Sequence, residues 1–550
     1  MNLFTRGTMM RQRTPEPKFM IILRLLALVM SLACYSTLVS AQEQPRYGGT
    51  LILATFADPG SLNPGLTTSV PTHIVTGPIF NGLVGHDLQF APVPDLAERW
   101  SVSPDGRVYT FHLVKNALWH DSKPVTSVDV KFTFEEILLK YHGRTRAALG
   151  KNLEVVETPD PYTAVFRFKE PYAPFLALID VVNAPILPRH VYEGTDILKH
   201  PANSAPVGSG PFKFKEWVRG DHVTLVRNDR YFKRGQPYLD RIVIRIMPDP
   251  AAATIAFEKG EVDYFLFPPP HEFVRLQQLP GVVVTTRGRE GFAGVVTLIP
   301  NLRRPILANL KVRQAMAYAI DRRVILDKAY FGKGEVATGP ISQALGWAYN
   351  AQVSRYDRDL AKANRLLDDA GYPRGPSGVR FALSIVYDTA FAKVAEVLRD
   401  QLREAGIDLQ LRLTERNAWI DAVYKRWDFD LAFTHFENGS DPDIGVKRVY
   451  VSSNIVPVPF SNAAGYQNPR VDQLFDLAAK ELDRAKRARA YFEIQEILVR
   501  ESPYFWLIEA GHLSGVAFRS EFKGLHSWSS KSIITYGDDA WWSKGKPGGQ

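Results

Sequence analysis

Apolar residues recur at every second position through much of the first half of the chain and at every third or fourth position through much of the second, with the change near Leu298. A period of two suits a strand with one buried face, whereas spacings of three and four line up one stripe of a helix. Tyr109, Phe111 and Leu113 alternate with Thr110 and His112, and Phe166 with Phe168, Phe212 with Phe214, and Ile242 with Ile244 and Ile246 repeat the signal. Ahead of them, Gly48-Gly49-Thr50-Leu51-Ile52-Leu53 and then Asp58-Pro59-Gly60 and Asn63-Pro64 read as strand, turn and loop. The first half is expected to be rich in strands.

Behind Asn309 as a cap, Val312, Ala315, Met316, Ala319 and Ile320 form an amphipathic stripe. Leu360, Ala363, Leu366, Leu367 and Ala370 form a second, stopped by Gly371 and Pro373; Val471, Leu474, Phe475, Ala478 and Leu482 form a third; Ile494, Ile497 and Leu498 carry a fourth up to Pro503. Such stripes are core-packing faces. Short strands at Phe381 to Tyr387, Leu409 to Leu413 and Phe429 to Phe433 lie between them, so a βαβ arrangement with a mainly parallel sheet is expected, an α/β lobe. Phe505 to Ile508 reads as one more strand before a Gly- and Lys-rich tail.

A chain of 550 residues exceeds what one hydrophobic core accommodates, so two or three lobes are expected. Its N-terminus reads as an export signal: Arg11, Arg13 and Lys18 precede an apolar run from Phe19 to Ala33, and Val39-Ser40-Ala41 offers a cleavage site after Ala41. That run contains Arg24 and falls short of the about 20 apolar residues that a membrane span takes. Ser31-Leu32-Ala33-Cys34 loosely resembles a lipobox, a less favoured route that would anchor the chain through Cys34. Cys34 is the single cysteine, so cleavage after Ala41 leaves none, and disulfides and thiolate chemistry are excluded together. The leader also removes five basic residues and one acid, so the formal charge of +9 falls to +5. With basic residues scattered and no run of five or more like charges, nucleic acid is not an expected partner.

Several separated segments carry a resemblance to the family 5 extracellular solute-binding proteins, the dipeptide, oligopeptide, opine and nickel-chelate receptors of ABC importers. Tyr47-Gly48-Gly49-Thr50-Leu51 and Asp58 to Pro64 look like the family's first strand and loop, and Tyr109 to Val130 (YTFHLVKNALWHDSKPVTSVDV) resembles its signature stretch. GSGPFKFKEW from Gly208, VRNDRYF from Val226, FEKGEVDYF from Phe257, NLKVRQAMAYAIDR from Asn309 and NPRVDQLF from Asn468 agree in order and spacing. The resemblance implies an α/β, two-lobed periplasmic binding protein of the class II, cluster C type, with an extra subdomain inserted in lobe I. It implies a signal peptide over 1–41, lobe I from 42–85, 205–298 and 508–550, the inserted subdomain over 86–204, and lobe II over 299–507. The crossings are expected near Val296 to Asn301 and Ile508 to Gly511. It further implies a non-enzymatic, monomeric, periplasmic receptor without a cofactor. Its partners would be a peptide-like small solute and an ABC permease in the inner membrane.

In peptide-binding members a carboxylate just before an Asp-Pro pairs with the ligand's amine. The matching stretch here is Thr434-His435-Phe436-Glu437-Asn438-Gly439-Ser440-Asp441-Pro442-Asp443, with one extra residue and Glu437 at or beside the acidic position. A partly desolvated carboxylate facing an ammonium makes a charge-assisted hydrogen bond. Asp441-Pro442-Asp443 reads first as a self-capping turn and second as ligating. The backbone around Ala54 to Asp58, including Phe56, and Phe433 to Glu437, ahead of Asn438, could take a peptide as an added strand. Trp347, Trp419 and Phe436 are candidate aromatic walls, and Arg448 with Tyr450 is a candidate pair for a ligand carboxylate.

Twelve histidines raise the question of a metal, yet no HExxH and no paired His with a nearby carboxylate occurs; His435, beside Glu437, is the one position suited to touching a metal chelate. A secreted hydrolase is the competing class, but no G-x-S-x-G elbow and no Walker A loop is present. A chaperone-like periplasmic protein with no small ligand is a third.

Overall fold

The computed structural model describes residues 44–87, 91–285, 294–509, 515–524 and 539–543. The expected leader with Cys34 and the cut after Ala41, the tail beyond Ser543, and Ala510 and Gly511 of the second expected crossing lie outside them. Among the described residues three large sheets, beside two two-stranded ones, organise the chain from Tyr47 onward.

A seven-stranded sheet runs in the order Val282–Thr285, Val516–Arg519, Tyr264–Leu266, Thr50–Thr55, Arg241–Ile246, His222–Arg227, Phe212–Val218. Thr50–Thr55 lies parallel to both of its neighbours, and Leu51, Leu53, Ile242 and Ile244 are fully buried in one core with Val223 and Leu225. The alternation read from these segments is therefore the in-out pleat of the sheet. Ahead of Phe212–Val218 the chain presses against Pro78 and Ile79: Gly210 N and Phe212 N donate to Ile79 O and Pro78 O at 2.8 and 3.0 Å. A Cβ on Gly208 would lie 1.9 Å from Ile79 O. Gly208 therefore sits at a close backbone approach that only glycine permits.

A four-stranded antiparallel sheet, in the order Ala97–Val102, Val108–Leu113, Thr163–Phe168, Leu153–Asp160, buries Tyr109, Phe111, Phe166, Phe168 and Phe175 edge to face. Helix Ser127–Phe132 covers this sheet and passes through a π-helical stretch, Thr133–Leu138, into Gly143–Leu149. The ring of His142 caps that last helix, accepting from Thr145 N at 3.3 Å.

The six-stranded sheet is mixed, in the order Glu335–Val336, Phe505–Glu509, Gly294–Pro300, Leu431–Glu437, Phe381–Tyr387, Ile407–Leu413. Phe381–Tyr387 is parallel to both neighbours, but the pairings of Gly294–Pro300 on its two sides, and that of Glu335–Val336, are antiparallel. The expectation of a mainly parallel sheet is thus corrected. Gly294–Pro300 brings the chain into this sheet and Phe505–Glu509 takes it out, and neighbouring strands of entry and exit must run in opposite directions.

The four helical stripes appear as Leu310–Ala319, Leu360–Asp369, Pro469–Lys480 and Arg484–Glu501, and the side chain of Asn309 accepts from Lys311 N at 3.0 Å. Leu482 falls outside the third. Asp483 caps the following helix, so the chain leaves helical geometry at Glu481 and Leu482 stands 48% exposed. Among the described residues no helix is long and apolar enough to cross a membrane.

Gly208→Ala is expected to lower the unfolding free energy by about 3 kcal/mol or more, because the clash is with backbone that cannot rotate away. Gly60→Ala, where a Cβ would meet nothing within 4 Å, serves as the control. Urea titration checks this, and matching midpoints would refute the close-approach account.

Candidate functional site

Glu437 ends the strand Leu431–Glu437, and the chain then folds back tightly, since a Cβ on Gly445 would lie 2.1 Å from Asn438 O. Asp441 caps the short turn Pro442–Gly445, its side chain accepting from Asp443 N at 3.0 Å. This geometry aims Glu437 at helix Gly143–Leu149, where Arg144 Nη2 lies 3.7 Å from Glu437 Oε2. Arg144 is 9% exposed; its Nη1 donates to Asn183 Oδ1 at 2.6 Å, and its Nε is buried with no hydrogen-bond partner among the described residues.

Two imidazoles flank this pair. His73, on helix Val70–Thr76, is pushed down to about 3 by burial and then by the charge of Arg144. His142 is likewise held well below its usual value by burial, with His73, Arg144 and Arg448 adding. Both are therefore neutral at physiological pH, as expected of imidazoles kept from water beside guanidinium groups. Arg448, on the far side, is lowered to about 10 by burial and by Arg144, and Glu437 partly offsets this. Desolvation pushes His435 down to about 4, and Arg416 adds to it.

A second set of contacts ties the elements around the four-stranded sheet to those around the six-stranded sheet. Tyr172 Oη donates to Asp443 Oδ2 at 2.8 Å, and Ala173 N donates to Ala479 O at 2.8 Å. Lys447 Nζ lies 3.1 Å from Asp443 Oδ1, and Arg487 Nη2 donates to both oxygens of Asp441, at 2.9 and 2.8 Å. Ile444 and Ala479 join the apolar core of the four-stranded sheet.

The structure brings Glu437 and Arg448 together and joins to them His73, His142 and Arg144, which no sequence pattern singles out, whereas the His435 ring lies over Gly294 beside Arg416. Asp441 is buried, caps its turn and pairs with Arg487, the self-capping role that the sequence favours. Trp419, Phe436 and Tyr450 lie in one core cluster of the six-stranded sheet, where Tyr450 Oη accepts from Trp506 Nε1 at 2.8 Å. Arg416 stacks over Trp419 at 4.5 Å and donates to Asp388 at 2.7 Å. Asn438 is buried, accepting from Ser342 N and donating to Pro340 O. Trp347 packs on Tyr491 under Arg484 and Arg487, away from Glu437's partners.

On the seven-stranded sheet, Asp58 accepts from Trp217 Nε1 at 3.0 Å and from Gly220 N at 2.6 Å, and Phe56 meets Phe267 edge to face. Ala54 is paired on both sides, with Arg245 and Phe265, so a peptide strand has no free edge at that residue, and Phe56 to Asp58 lie beyond the strand's end at Thr55. Leu431–Glu437 is flanked along its length by Gly294–Pro300, while Phe381–Tyr387 pairs with it only at Leu431 and Ala432.

Residues 91–456 match the family model described as bacterial extracellular solute-binding proteins, family 5 Middle. The chain belongs to this family. Oligopeptide-binding protein AppA of Bacillus subtilis is 26% identical over 557 residues, spanning 97% of this chain and 99% of its own. The structure of the periplasmic binding protein DppA from Helicobacter pylori in complex with the peptide STSA aligns with a TM-score of 0.81 and 28% identity, covering 92% of this chain and 100% of that one. That of AgaA from A. tumefaciens R10 in complex with agropinic acid aligns at 0.76 and 25% identity, covering 90% and 99%. This family 5 protein accordingly has the mixed α/β, two-lobed fold of periplasmic binding proteins.

The buried imidazoles give the protein an acid limb. His73 titrates near 6.5 in the unfolded chain and near 3 in the folded one, so stability is lost progressively as pH falls below about 6.5. Between pH 7 and pH 5 this one ring is expected to cost about 2 kcal/mol, and His73→Leu should shrink the total fall by that amount. Urea unfolding at the two pH values measures it, and identical falls in parent and variant would show that His73 is open to water.

Proposed function

We propose that this family 5 protein is the periplasmic receptor of an ABC importer. In this reading it captures a peptide or peptide-like solute between two lobes, at the seam where Glu437 faces Arg144. The observation that carries it is the opposition, at 3.7 Å, of a carboxylate on one lobe and a largely buried guanidinium on the inserted subdomain. Charges facing each other across two bodies favour their approach and give a zwitterionic solute complementary contacts available only when both are near. Glu437 is the acceptor for the solute's amine, and His435 and Arg448 line its surroundings. The relatives' descriptions, an oligopeptide for AppA and the peptide STSA for DppA, support the ligand class.

Lobe I comprises 42–85, 205–298 and 508–550, the inserted subdomain 86–204 and lobe II 299–507 in this proposal, with the leader removed after Ala41. The three sheets support it: strands of the seven-stranded sheet come from the first set of segments and those of the four-stranded sheet from the second. The crossings follow Gly294–Pro300 and Phe505–Glu509. The protein acts as a monomer, delivers its solute to an inner-membrane permease, and carries out no chemistry on it.

Calorimetry with the tetrapeptide Ser-Thr-Ser-Ala, free and N-acetylated, tests the amine assignment. The parent is expected to bind the free-amine form at least tenfold more tightly, and Glu437→Gln to erase that preference. Equal affinity of parent and variant for the free form would retire Glu437, and peptide recovered cleaved would reopen the hydrolase reading.

A further inference from the structure

A cavity of about 270 Å³ lies beside the edge of the six-stranded sheet, apart from the seam. Its walls come from residues 317–506, and neither Glu437 nor Arg144, Arg448, His73 or His142 takes part in them. Glu335 and Val336 of the edge strand, Phe505 and Trp506 of the strand beside it, and Tyr349 and Tyr356 close it in. A water takes up about 30 Å³ of liquid, so the space suits a solute of amino-acid size.

Arg322, in the wall of this cavity, is fixed in place but not paired. Its Nε donates to Trp506 O at 2.8 Å, and its Nη1 donates to Tyr356 O at 2.7 Å and to Ala317 O at 3.3 Å. Among the described residues its Nη2 makes no hydrogen bond, and no carboxylate forms an ion pair with the group. Burial lowers Arg322 to about 10, with Asp357, Tyr356 and Asp321 opposing. Three carbonyls thus occupy one side of the guanidinium and leave its charge uncompensated. Arg323 and Arg355 are exposed at the same cavity, as are Glu335 and Asp357, and among the described residues none of these four is in an ion pair. Arg358, one residue beyond Asp357, shows the ordinary surface condition, taken by Glu404 at 2.7 Å. Cations therefore outnumber acids three to two around the cavity, and the cation held most firmly has an open pair of donors. A carboxylate suits such donors, because guanidinium presents them in a plane and the hydrogen bonds are charge-assisted.

We propose that this cavity is a ligand site separate from the seam, for a small organic acid whose carboxylate meets Nη2 of Arg322, with Arg323 and Arg355 drawing it in. The site does not depend on the receptor reading above. The carboxylate has two sources, an amino acid, whose ammonium Asp357 or Glu335 would face, and an amine-free dicarboxylate.

Calorimetry with L-glutamate and with glutarate, the same carbon chain without the amine, separates them. The parent should bind at least one of the two, the tighter naming the source, and equal affinities would show that the carboxylates alone are read. Arg322→Gln should weaken binding about tenfold, and the double variant Arg323→Gln/Arg355→Gln, which changes only exposed side chains, about fivefold. Circular dichroism establishes folding, and if Arg322→Gln is unfolded the double variant decides. The titration is repeated with the protein saturated with Ser-Thr-Ser-Ala, and binding of the acid should persist. Binding of neither acid, an affinity unchanged in the folded variants, or displacement of the acid by the tetrapeptide would overturn the inference. Failure of the tetrapeptide itself to bind counts against the receptor reading alone, and the variants then decide the cavity.

Discussion

Asp441 and Asp443 are both buried, two residues apart on one tight turn, and each requires countercharge that local structure cannot provide. Burial lifts the Asp441 carboxyl above its usual value, and Arg487 opposes that from a helix distant in sequence. Asp443 meets Lys447, four residues on, and the hydroxyl of Tyr172 from beside the four-stranded sheet. A buried carboxylate that loses one donor pays a desolvation cost of about 1 to 3 kcal/mol. The pair therefore fixes how the turn after Glu437 is held, and ties that turn to the subdomain carrying Arg144.

This arrangement separates two tasks within one interface. The Tyr172–Asp443 hydrogen bond, the Ala173–Ala479 backbone contact and the shared apolar packing of Ile444 and Ala479 make a well-satisfied joint between bodies. The Glu437–Arg144 region beside it is left with a long ion pair and buried nitrogens of Arg144, His73 and His142 that lack hydrogen-bond partners among the described residues. Groups in that condition gain most from a solute that completes their hydrogen bonds, because the cost of burying them has already been met by the joint. Capture by a two-lobed receptor depends on contacts that only the approached lobes offer, and the joint holds the lobes in that relation.

Elements whose signals lie in neighbouring residues were legible in the sequence. The alternation at Tyr109, Phe111 and Leu113 and the cap at Asn309 each rest on a handful of adjacent positions. Strand direction was not legible, because whether Gly294–Pro300 and Phe505–Glu509 run antiparallel depends on where the chain enters and leaves a sheet. The candidate site was half legible. Glu437, His435 and Arg448 stood out in one short stretch, while Tyr172 and its partner Asp443 are 271 residues apart. Arg144 and His142 sit in a segment, YHGRTRAALG, whose composition resembles any solvated helix start. The aromatic candidates Trp419, Phe436 and Tyr450 show the converse, since an aromatic near an acidic turn reads the same whether it lines a cleft or fills a core.

The imidazoles explain why a site so charged remains folded. A protonated His73 or His142 would add a third buried cation to Arg144 and Arg448, which face the carboxylates of Glu437 and Asp180. Keeping both rings neutral preserves polar atoms in the recess without adding charge, which a lysine or arginine at either position could not do. Leucine there would keep the charge balance but remove the nitrogens that a solute could meet. Histidine is the side chain that satisfies both demands, on the condition that water stays out of the seam.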